Sequence, residues 1–487
     1  MGHLHPAPDV AWRDGEDTGI TGITADSRAV APGFLFAALP GAHHDGRTFI
    51  AEAVARGASA ILAPLGTSWP PATPRRLLLT AVEPRRCLAQ LATAMAGPQP
   101  AMTVAVTGTN GKTSTVSFLR QLWALSGIKS ASLGTLGLDA PGFASSPGLT
   151  TPDPVALAGT LAALVKAKIG HVALEASSHG LDQFRLDGVQ LKAGGFTNLT
   201  RDHLDYHRTL PAYRAAKLRL FTDLLPAGAP VVVNADMDGE TLRALRTIAQ
   251  ARRLDLRSVG MAGETIGLMR ATPHPGGQSL RVFAHGRVHT IDLPLLGRFQ
   301  TDNALVAAAL AEATGTTHAL NFLPHLVGVR GRMERAAILS NDAAVYVDYA
   351  HTPDALDRLL AALRPHVRGK LIIVFGAGGD RDHGKRPLMG ASAARGADHV
   401  IITDDNPRTE NPATIRSAIR SACPDATEIA DRANAIAAGL NLLGPGDILA
   451  VAGKGHEQGQ IIGLDILPFD DIDIVRRLAG RLTDRAL

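Results

Sequence analysis

Residues 103–113 read Thr-Val-Ala-Val-Thr-Gly-Thr-Asn-Gly-Lys-Thr, an apolar run that enters a glycine-framed loop and delivers Lys112 and Thr113 to the start of a helix. That order of residue types suits the phosphates of a nucleotide. Gly108 and Gly111 let the backbone approach closely, and the N–H groups around Thr109 and Asn110 attract negative charge. Lys112 can then reach the outer phosphates, and the Thr113 hydroxyl can ligate Mg²⁺. Only two residues separate the glycines, so the loop is shorter than the common G-x-x-x-x-G-K-[ST] pattern.

Further chemistry follows downstream. Glu175 ends the apolar run Val172 to Leu174 in the phrase Leu-Glu-Ala-Ser-Ser-His-Gly-Leu. A carboxylate there can complete the oxygen shell of a Mg²⁺ held by Thr113 and the nucleotide. The stretch Phe196 to His207 spills from an apolar strand into a turn crowded with metal-capable groups. His179, His203 and His207 all lie close behind candidate strand ends, with metal-ligating and structural roles both open.

These residues need a scaffold that brings strand ends together. Buried strands are predicted at Met102 to Thr107, Val172 to Ala176, Gly195 to Leu199 and Val231 to Asn234. A helix after the loop presents Val116, Leu119, Leu122 and Trp123 on one face and stops at Gly127. Before it, helical stretches at 50–57 and 87–96 alternate with a short strand at 60–63. Beyond residue 329, apolar runs at 345–348, 371–375, 400–403 and 448–452 each end in a polar or glycine-rich turn, a βαβ pattern with a mainly parallel sheet. Ligands of such sheets bind beyond the carboxyl ends of the strands. The expected organisation is α/β in three domains: a small N-terminal α/β domain (1–98), a central P-loop ATPase-like domain (99–329) and a C-terminal Rossmann-like domain (330–487).

Composition sets the limits. A chain of 487 residues is long for a single core, and 45% hydrophobic residues supply several. Aromatics at 4% and a net charge of only +4, with its cations scattered, argue against a nucleic-acid surface. Cys87 and Cys423 are far apart and without C-x-x-C spacing, so both are expected as small buried hydrophobes. No run of 18 apolar residues occurs, and the expectation is a cytoplasmic monomer without membrane insertion.

Six motifs in register resemble the Mur ligase family of ATP-dependent amide ligases: Gly108-Thr-Asn-Gly-Lys-Thr113, Leu174-Glu-Ala-Ser-Ser178, Thr200-Arg-Asp-His-Leu-Asp-Tyr-His207, Tyr213-Arg-Ala-Ala-Lys217, Gly331-Arg-Met-Glu334 and Asp348-Tyr-Ala-His-Thr-Pro-Asp354. Asp26-Ser27-Arg28 and Pro32-Gly33-Phe34-Leu35-Phe36 extend the likeness to the first domain. The resemblance implies that Lys112, Glu175, His203 and Lys217 are catalytic. Thr113, Glu175, His203 and Lys217 would hold Mg²⁺, Lys217 as a carbamate made from CO₂. It further implies ATP contacts from Gly108, Thr109, Asn110, Gly111, Lys112, Thr113, Asn303, Arg332 and Asp348.

Other positions resemble the branch of the family that adds the third peptide residue. Ala25, Ser27, Ala42, His43 and His44 would hold the UDP part of UDP-MurNAc-L-Ala-D-Glu, with Thr150, Thr151, Ser177, Gln183 and Arg185 on its peptide part. Phe184 stands where some relatives carry histidine. Asp405-Asn406-Pro407-Arg408 resembles the version used with meso-diaminopimelate, whose second carboxylate a guanidinium can grip with two hydrogen bonds. Arg381, Gly453 and Glu457 would complete that pocket. L-lysine or a folylpolyglutamate-type acceptor, and more distantly a P-loop switch protein, are the rival readings.

Overall fold

The structure is a computed structural model that describes residues 10–14, 18–41, 44–144, 148–274 and 276–484. It comprises two compact units, one running to Thr265 with Val306–Ala319 added, the other formed by Ile266–Leu305 and the chain from Leu320.

The first unit contains two sheets. The N-terminal one has five strands in the order Val10–Asp14, Leu77–Ala81, Ala60–Pro64, Phe34–Ala37, Gly22–Thr24, parallel except at Val10–Asp14. Each face has its own apolar cover. Ile50, Ala53 and Val54 of helix Ile50–Ala55 pack on one, and Cys87, Leu88 and Leu91 of helix Pro84–Ala96 on the other. The second of these clusters also contains Ala158 of helix Pro154–Lys166, so the small sheet and the central one share a core. Cys87 is free and buried, as is Cys423 in the other unit.

The central sheet of this unit runs Asp255–Gly260, Pro230–Asn234, Ala193–Phe196, Met102–Thr107, His171–Glu175, Ser130–Gly134, Gly137–Asp139. All neighbours are parallel except the last pair. Thr103–Thr107 are buried because the strand lies in the sheet's interior, and Val104–Val106 accordingly form an apolar run with no outward polar alternation. Its carboxyl end points into the phosphate loop, between the ends that carry Glu175 and Thr197–Asn198.

In the second unit, Ile266–His274, Gly277–Ala284 and Arg287–Leu293 form an antiparallel meander. The alternating pattern of these strands places Leu280, Val282 and Ala284 inside and Arg281 and Phe283 outside. A six-stranded sheet follows, in the order Glu334–Ile338, Ala344–Asp348, Ile448–Ala452, Leu371–Phe375, His399–Ile402, Thr427–Glu428. It is parallel apart from its first pair. Helices Pro353–Leu363, Lys385–Gly396 and Pro412–Arg420 cover one face, and Arg432–Asn441 with Asp471–Asp484 the other. No helix of the described residues is long and apolar enough to cross a membrane.

Candidate active site

The phosphate loop is held by its neighbours before any ligand arrives. Gly108 has φ +143°, and a Cβ there would lie 1.9 Å from Thr197 Oγ1, so only glycine fits. Thr197 Oγ1 donates to Asn110 O (2.6 Å), Asn198 Oδ1 accepts from Asn110 N (3.0 Å), and Asn198 Nδ2 donates back to Asn110 O (3.1 Å). Thr109 Oγ1 accepts from Thr200 N (3.0 Å) and from Tyr213 Oη (3.2 Å). Helix Lys112–Leu125 starts where the sequence places it, with its first N–H groups facing the loop.

Two amines converge on one carbonyl. Lys112 Nζ donates to Gly108 O (2.9 Å) and Thr109 O (2.9 Å), and Lys217 Nζ donates to the same Gly108 O (2.7 Å). Lys217 is buried at 1% exposure on helix Leu210–Arg219, over the Tyr213 ring at 4.6 Å, just before a π-helical turn at Leu220–Leu224. Desolvation, followed by the charge of Lys112, holds the Lys217 amine well below its ordinary value of 10.5. Lys112 is lowered too, again by desolvation, although Glu175 and Asp202 oppose it.

Glu175 is buried at 2% exposure and accepts from Thr135 N (2.9 Å) and Thr135 Oγ1 (3.2 Å). Burial raises its pKa, while Lys112, Thr135 and the Thr113 hydroxyl pull it down. A carboxylate and a hydroxyl at the end of a phosphate loop are a hard oxygen donor set that suits Mg²⁺. Among the described residues no three His, Cys, Asp or Glu side chains form a cage for a metal. This is compatible with an ion that takes much of its shell from phosphate and water.

The three histidines singled out from sequence do meet. The His179 ring lies 5.0 Å from that of His203 and 5.5 Å from that of His207, with Tyr206 at 4.2 Å. His203 has φ +51°, a conformation that a non-glycine residue keeps only when its surroundings impose it. His207 Nε2 is buried without a hydrogen-bond partner, and burial holds this imidazole below its usual pKa.

Beside this cluster the proposed peptide contacts are brought together. Thr151 Oγ1 donates to Glu175 O (2.8 Å) and accepts from Ser177 N (2.9 Å). Thr150 Oγ1 lies 2.9 Å from Thr135 Oγ1, tying that residue to the Glu175 shell. Arg185 Nη1 donates to Thr151 O (2.6 Å) and its Nη2 to Gln183 Oε1 (2.7 Å). Phe184, at φ +58°, has the guanidiniums of Arg86 and Arg219 at 4.8 and 4.3 Å from its ring centroid, and both arginines pair with Asp187 Oδ1. An aromatic ring beside two guanidiniums accounts for phenylalanine at that place.

In the first domain, Ala25 and Ser27 follow strand Gly22–Thr24, where Asp26 caps a short 3₁₀ turn and pairs with Arg28 at 2.9 Å. His44 lies edge-on to Phe49 at 6.4 Å. Ala42 and His43 lie outside the described residues.

The second unit carries the remaining candidates. Asp348 ends its strand and accepts from Met333 N (2.7 Å) and Ala350 N (2.8 Å), with burial raising its pKa. The helix that follows is capped by Thr352. The Arg332 guanidinium lies over the Tyr349 ring at 5.3 Å, and Asn303 is buried on helix Arg298–Ala313. At the ends of His399–Ile402 and Ile448–Ala452, Asn406 Nδ2 donates to Glu457 Oε2 (2.9 Å). Arg408, at φ +52°, donates through Nη1 to Gly379 O (2.8 Å), and its backbone pairs with Ile461 and Gly463. Gly453 has φ +117°, and a Cβ there would lie 2.5 Å from Asp405 Oδ2. Pro407 lies between Asn406 and Arg408, and Arg381 is exposed on the loop after Leu371–Phe375 with its charge reaching Tyr349. Thr135, Thr197, Asn198, Tyr213 and Lys454 belong to these networks although sequence reasoning did not single them out. Short polar residues after strands were the available signal for the first three.

Three family descriptions match in chain order: "Mur ligase family, catalytic domain" over residues 19–93, "Mur ligase middle domain" over 106–311, and "Mur ligase, glutamate ligase domain" over 331–455. The chain is 53% identical over 464 residues to the UDP-N-acetylmuramoyl-L-alanyl-D-glutamate--2,6-diaminopimelate ligase of Caulobacter vibrioides, covering 94% of each chain. It is 50% identical over 467 residues to the ligase of the same name from Rhizobium meliloti, covering 95% of each. A solved structure titled with that ligase name superposes with a TM-score of 0.74 at 34% identity and 95% coverage of both chains. The fold alone is shared with a MurF ligase from Thermotoga maritima in complex with ADP, with a TM-score of 0.57 at 18% identity, covering 96% of this chain and 99% of that one. With the phosphate loop, its two lysines and the strand-end turns described above, these likenesses show that the chain belongs to the Mur ligase family.

Proposed function

We propose that this protein is an ATP-dependent amide ligase that joins meso-diaminopimelate to the D-glutamate of UDP-MurNAc-L-Ala-D-Glu, an ADP-forming step of peptidoglycan precursor synthesis. The observation that carries the reading is the convergence of Lys112 and Lys217 on Gly108 O beside the buried Glu175. Two desolvated amines and a carboxylate at the end of a phosphate loop form a charged, water-poor place for phosphoryl transfer. The substrate assignment rests on the ligase names of the relatives and on the Asp405–Arg408 turn.

In this mechanism a D-glutamate carboxylate oxygen attacks the γ-phosphorus of ATP, the β–γ bridging bond breaks, and ADP leaves. The amine of the incoming amino acid then attacks the acyl carbon, loses a proton and expels phosphate. Two anions must approach in the first step, and Lys112 offsets their repulsion. Thr150, Thr151, Ser177, Gln183 and Arg185 orient the peptide, the Ala25–Ser27 and Ala42–His44 stretches the UDP part, and Asn303, Arg332 and Asp348 the nucleotide. Mg²⁺, which Thr113, Glu175, His203 and carbamylated Lys217 would hold, neutralises phosphate oxygens when bound. Residues 1–98, 99–329 and 330–487 serve as modules for UDP-substrate, ATP and amino acid, in a cytoplasmic monomer.

Carbamylation of Lys217, which the family resemblance implies, is supported by the surroundings of its amine. CO₂ bonds only to a neutral amine, with loss of one proton. A pKa held well below 10.5 keeps Lys217 neutral at a lower pH than an ordinary lysine. The product sets an anion beside the Lys112 ammonium, an attractive contact. Protein freed of CO₂ is expected to lose most of its ligase activity and regain it with bicarbonate, and Lys217→Met to be inactive under both conditions. Full activity in protein whose intact mass shows no carbamate would overturn this role.

The whole assignment is tested by offering UDP-MurNAc-L-Ala-D-Glu, ATP and Mg²⁺ with meso-diaminopimelate, L-lysine or neither, and reading ADP release and product mass. Tripeptide formation with diaminopimelate, far above that with lysine, is expected. A preference for lysine, or ATP hydrolysis without an amide, contradicts it.

A further inference from the structure

Beneath the Asp405–Arg408 turn lies an ammonium group that the mechanism does not use. Lys454 is fully buried, at 0% side-chain exposure, whereas its neighbour Glu457 is 35% exposed. Lys454 Nζ donates to Asn406 Oδ1 (2.8 Å) and lies 3.4 Å from Glu457 Oε2. Asn406 Oδ1 also accepts from Ile461 N (2.9 Å). With two donors on its oxygen, the Asn406 amide has one orientation available, and its Nδ2 therefore faces Glu457 Oε2 at 2.9 Å. Both donors to Glu457 fall on the same oxygen, leaving Oε1 for an incoming ammonium.

A second buried cation stands close by. Arg432 is fully buried and paired with Asp471, donating from Nε and Nη2 at 2.7 Å each, and Nη2 also donates to Ala452 O at 3.0 Å. A Cβ on Gly453 would lie 3.9 Å from Arg432 Nη2 and 2.5 Å from Asp405 Oδ2, so the guanidinium underlies the acidic turn. Asp405 Oδ2 and Arg432 Nη1 are both buried without hydrogen-bond partners. Two buried cations thus back the acids of the pocket: Lys454 meets Glu457 through Oε2, and the charge of Arg432 reaches Asp405 and Glu457. A buried charge is retained at a cost unless it is paired, so Lys454 is placed where its partners are needed.

We propose that Lys454 is a positioning residue for amino-acid binding, orienting Asn406 and fixing Glu457 through one oxygen so that the other meets the distal ammonium of the substrate. This inference rests on the reading of the Asp405–Arg408 turn and Glu457 as the amino-acid pocket. It adds a determinant that never touches the substrate. Lys454 also anchors the backbone of Glu457, whose N–H donates to Lys454 O at 2.9 Å.

The test is steady-state kinetics on the full chain with Lys454→Met, which keeps side-chain length and removes the charge, and with Lys454→Gln, which keeps a donor for Asn406. Lys454→Met is expected to raise KM for meso-diaminopimelate about tenfold or more, with KM for ATP and for the UDP-linked substrate within about twofold of wild type. Lys454→Gln should fall between, and it carries the test if the methionine variant does not fold. In a Glu457→Gln background the Lys454→Met change should cost less than half its wild-type effect on KM, because the partner it positions is already lost. An unchanged KM for diaminopimelate in folded variants, a loss confined to kcat, or full additivity with Glu457→Gln would overturn the proposal. Absence of diaminopimelate ligation by the wild-type protein would instead sink the functional reading beneath it.

Discussion

Lys112→Met is expected to lower kcat/KM for ligation by about 10³-fold or more while leaving the thermal midpoint unchanged or raised. The two halves of that expectation have different causes. Removing a preorganised cation from a dry site where charge develops typically costs 10²–10³ in rate, and here the ammonium faces the approach of a carboxylate to a phosphate. In the free protein, however, Lys112 is desolvated and shares Gly108 O with Lys217, and this burial outweighs the attraction of Glu175 and Asp202 for its charge. Methionine removes the desolvation cost of the ammonium and its repulsion with Lys217 but gives up its attraction to the buried Glu175, and these changes oppose one another. Single-turnover ADP formation together with a thermal melt separates the two. A variant that loses activity because it unfolds, or one that keeps a tenth of wild-type activity, would refute the role given to Lys112.

Arg408→Ala should cut kcat/KM for meso-diaminopimelate by about 10²-fold, the usual order for deleting one partner of a desolvated charge pair. Turnover with L-lysine should change little, so discrimination collapses while the chemistry survives. Arg408→Lys should recover only part of the loss, because an ammonium cannot form the two parallel hydrogen bonds of a guanidinium. Arg408 is poised for this: its left-handed backbone is fixed by hydrogen bonds to Ile461 and Gly463, and its Nη1 rests on Gly379 O. Competition assays with both amino acids in one vessel check it, and equal losses with both would remove Arg408 from the specificity pocket.

What sequence reasoning could and could not see follows from the range of the interactions. Met102–Thr107, Leu371–Phe375 and Ile448–Ala452 were legible to the residue, since strands inside parallel sheets are buried on both faces and read as unbroken apolar runs. The helix after the phosphate loop was legible from its apolar face and from Gly127, whose φ of +86° follows its C-terminus at Leu125. The antiparallel meander 266–293 was missed because its strands are half exposed and their arginines and histidines blur the alternation. Within the site, Gly108, Lys112 and Glu175 could be assigned because local chain order sets their places. The convergence of Lys217 on Gly108 O joins residues 109 positions apart, and no pattern along the chain encodes it. The same holds for Lys454, which reads as one lysine among many until its complete burial against Asn406 is seen.

The central claim is that the peptide acid is phosphorylated before the amine captures it, and oxygen transfer tests it most directly. With both oxygens of the free D-glutamate carboxylate labelled as ¹⁸O, one label should appear in the phosphate released for every amide formed, and the other should stay in the amide. Unlabelled phosphate accompanying amide formation would contradict the account.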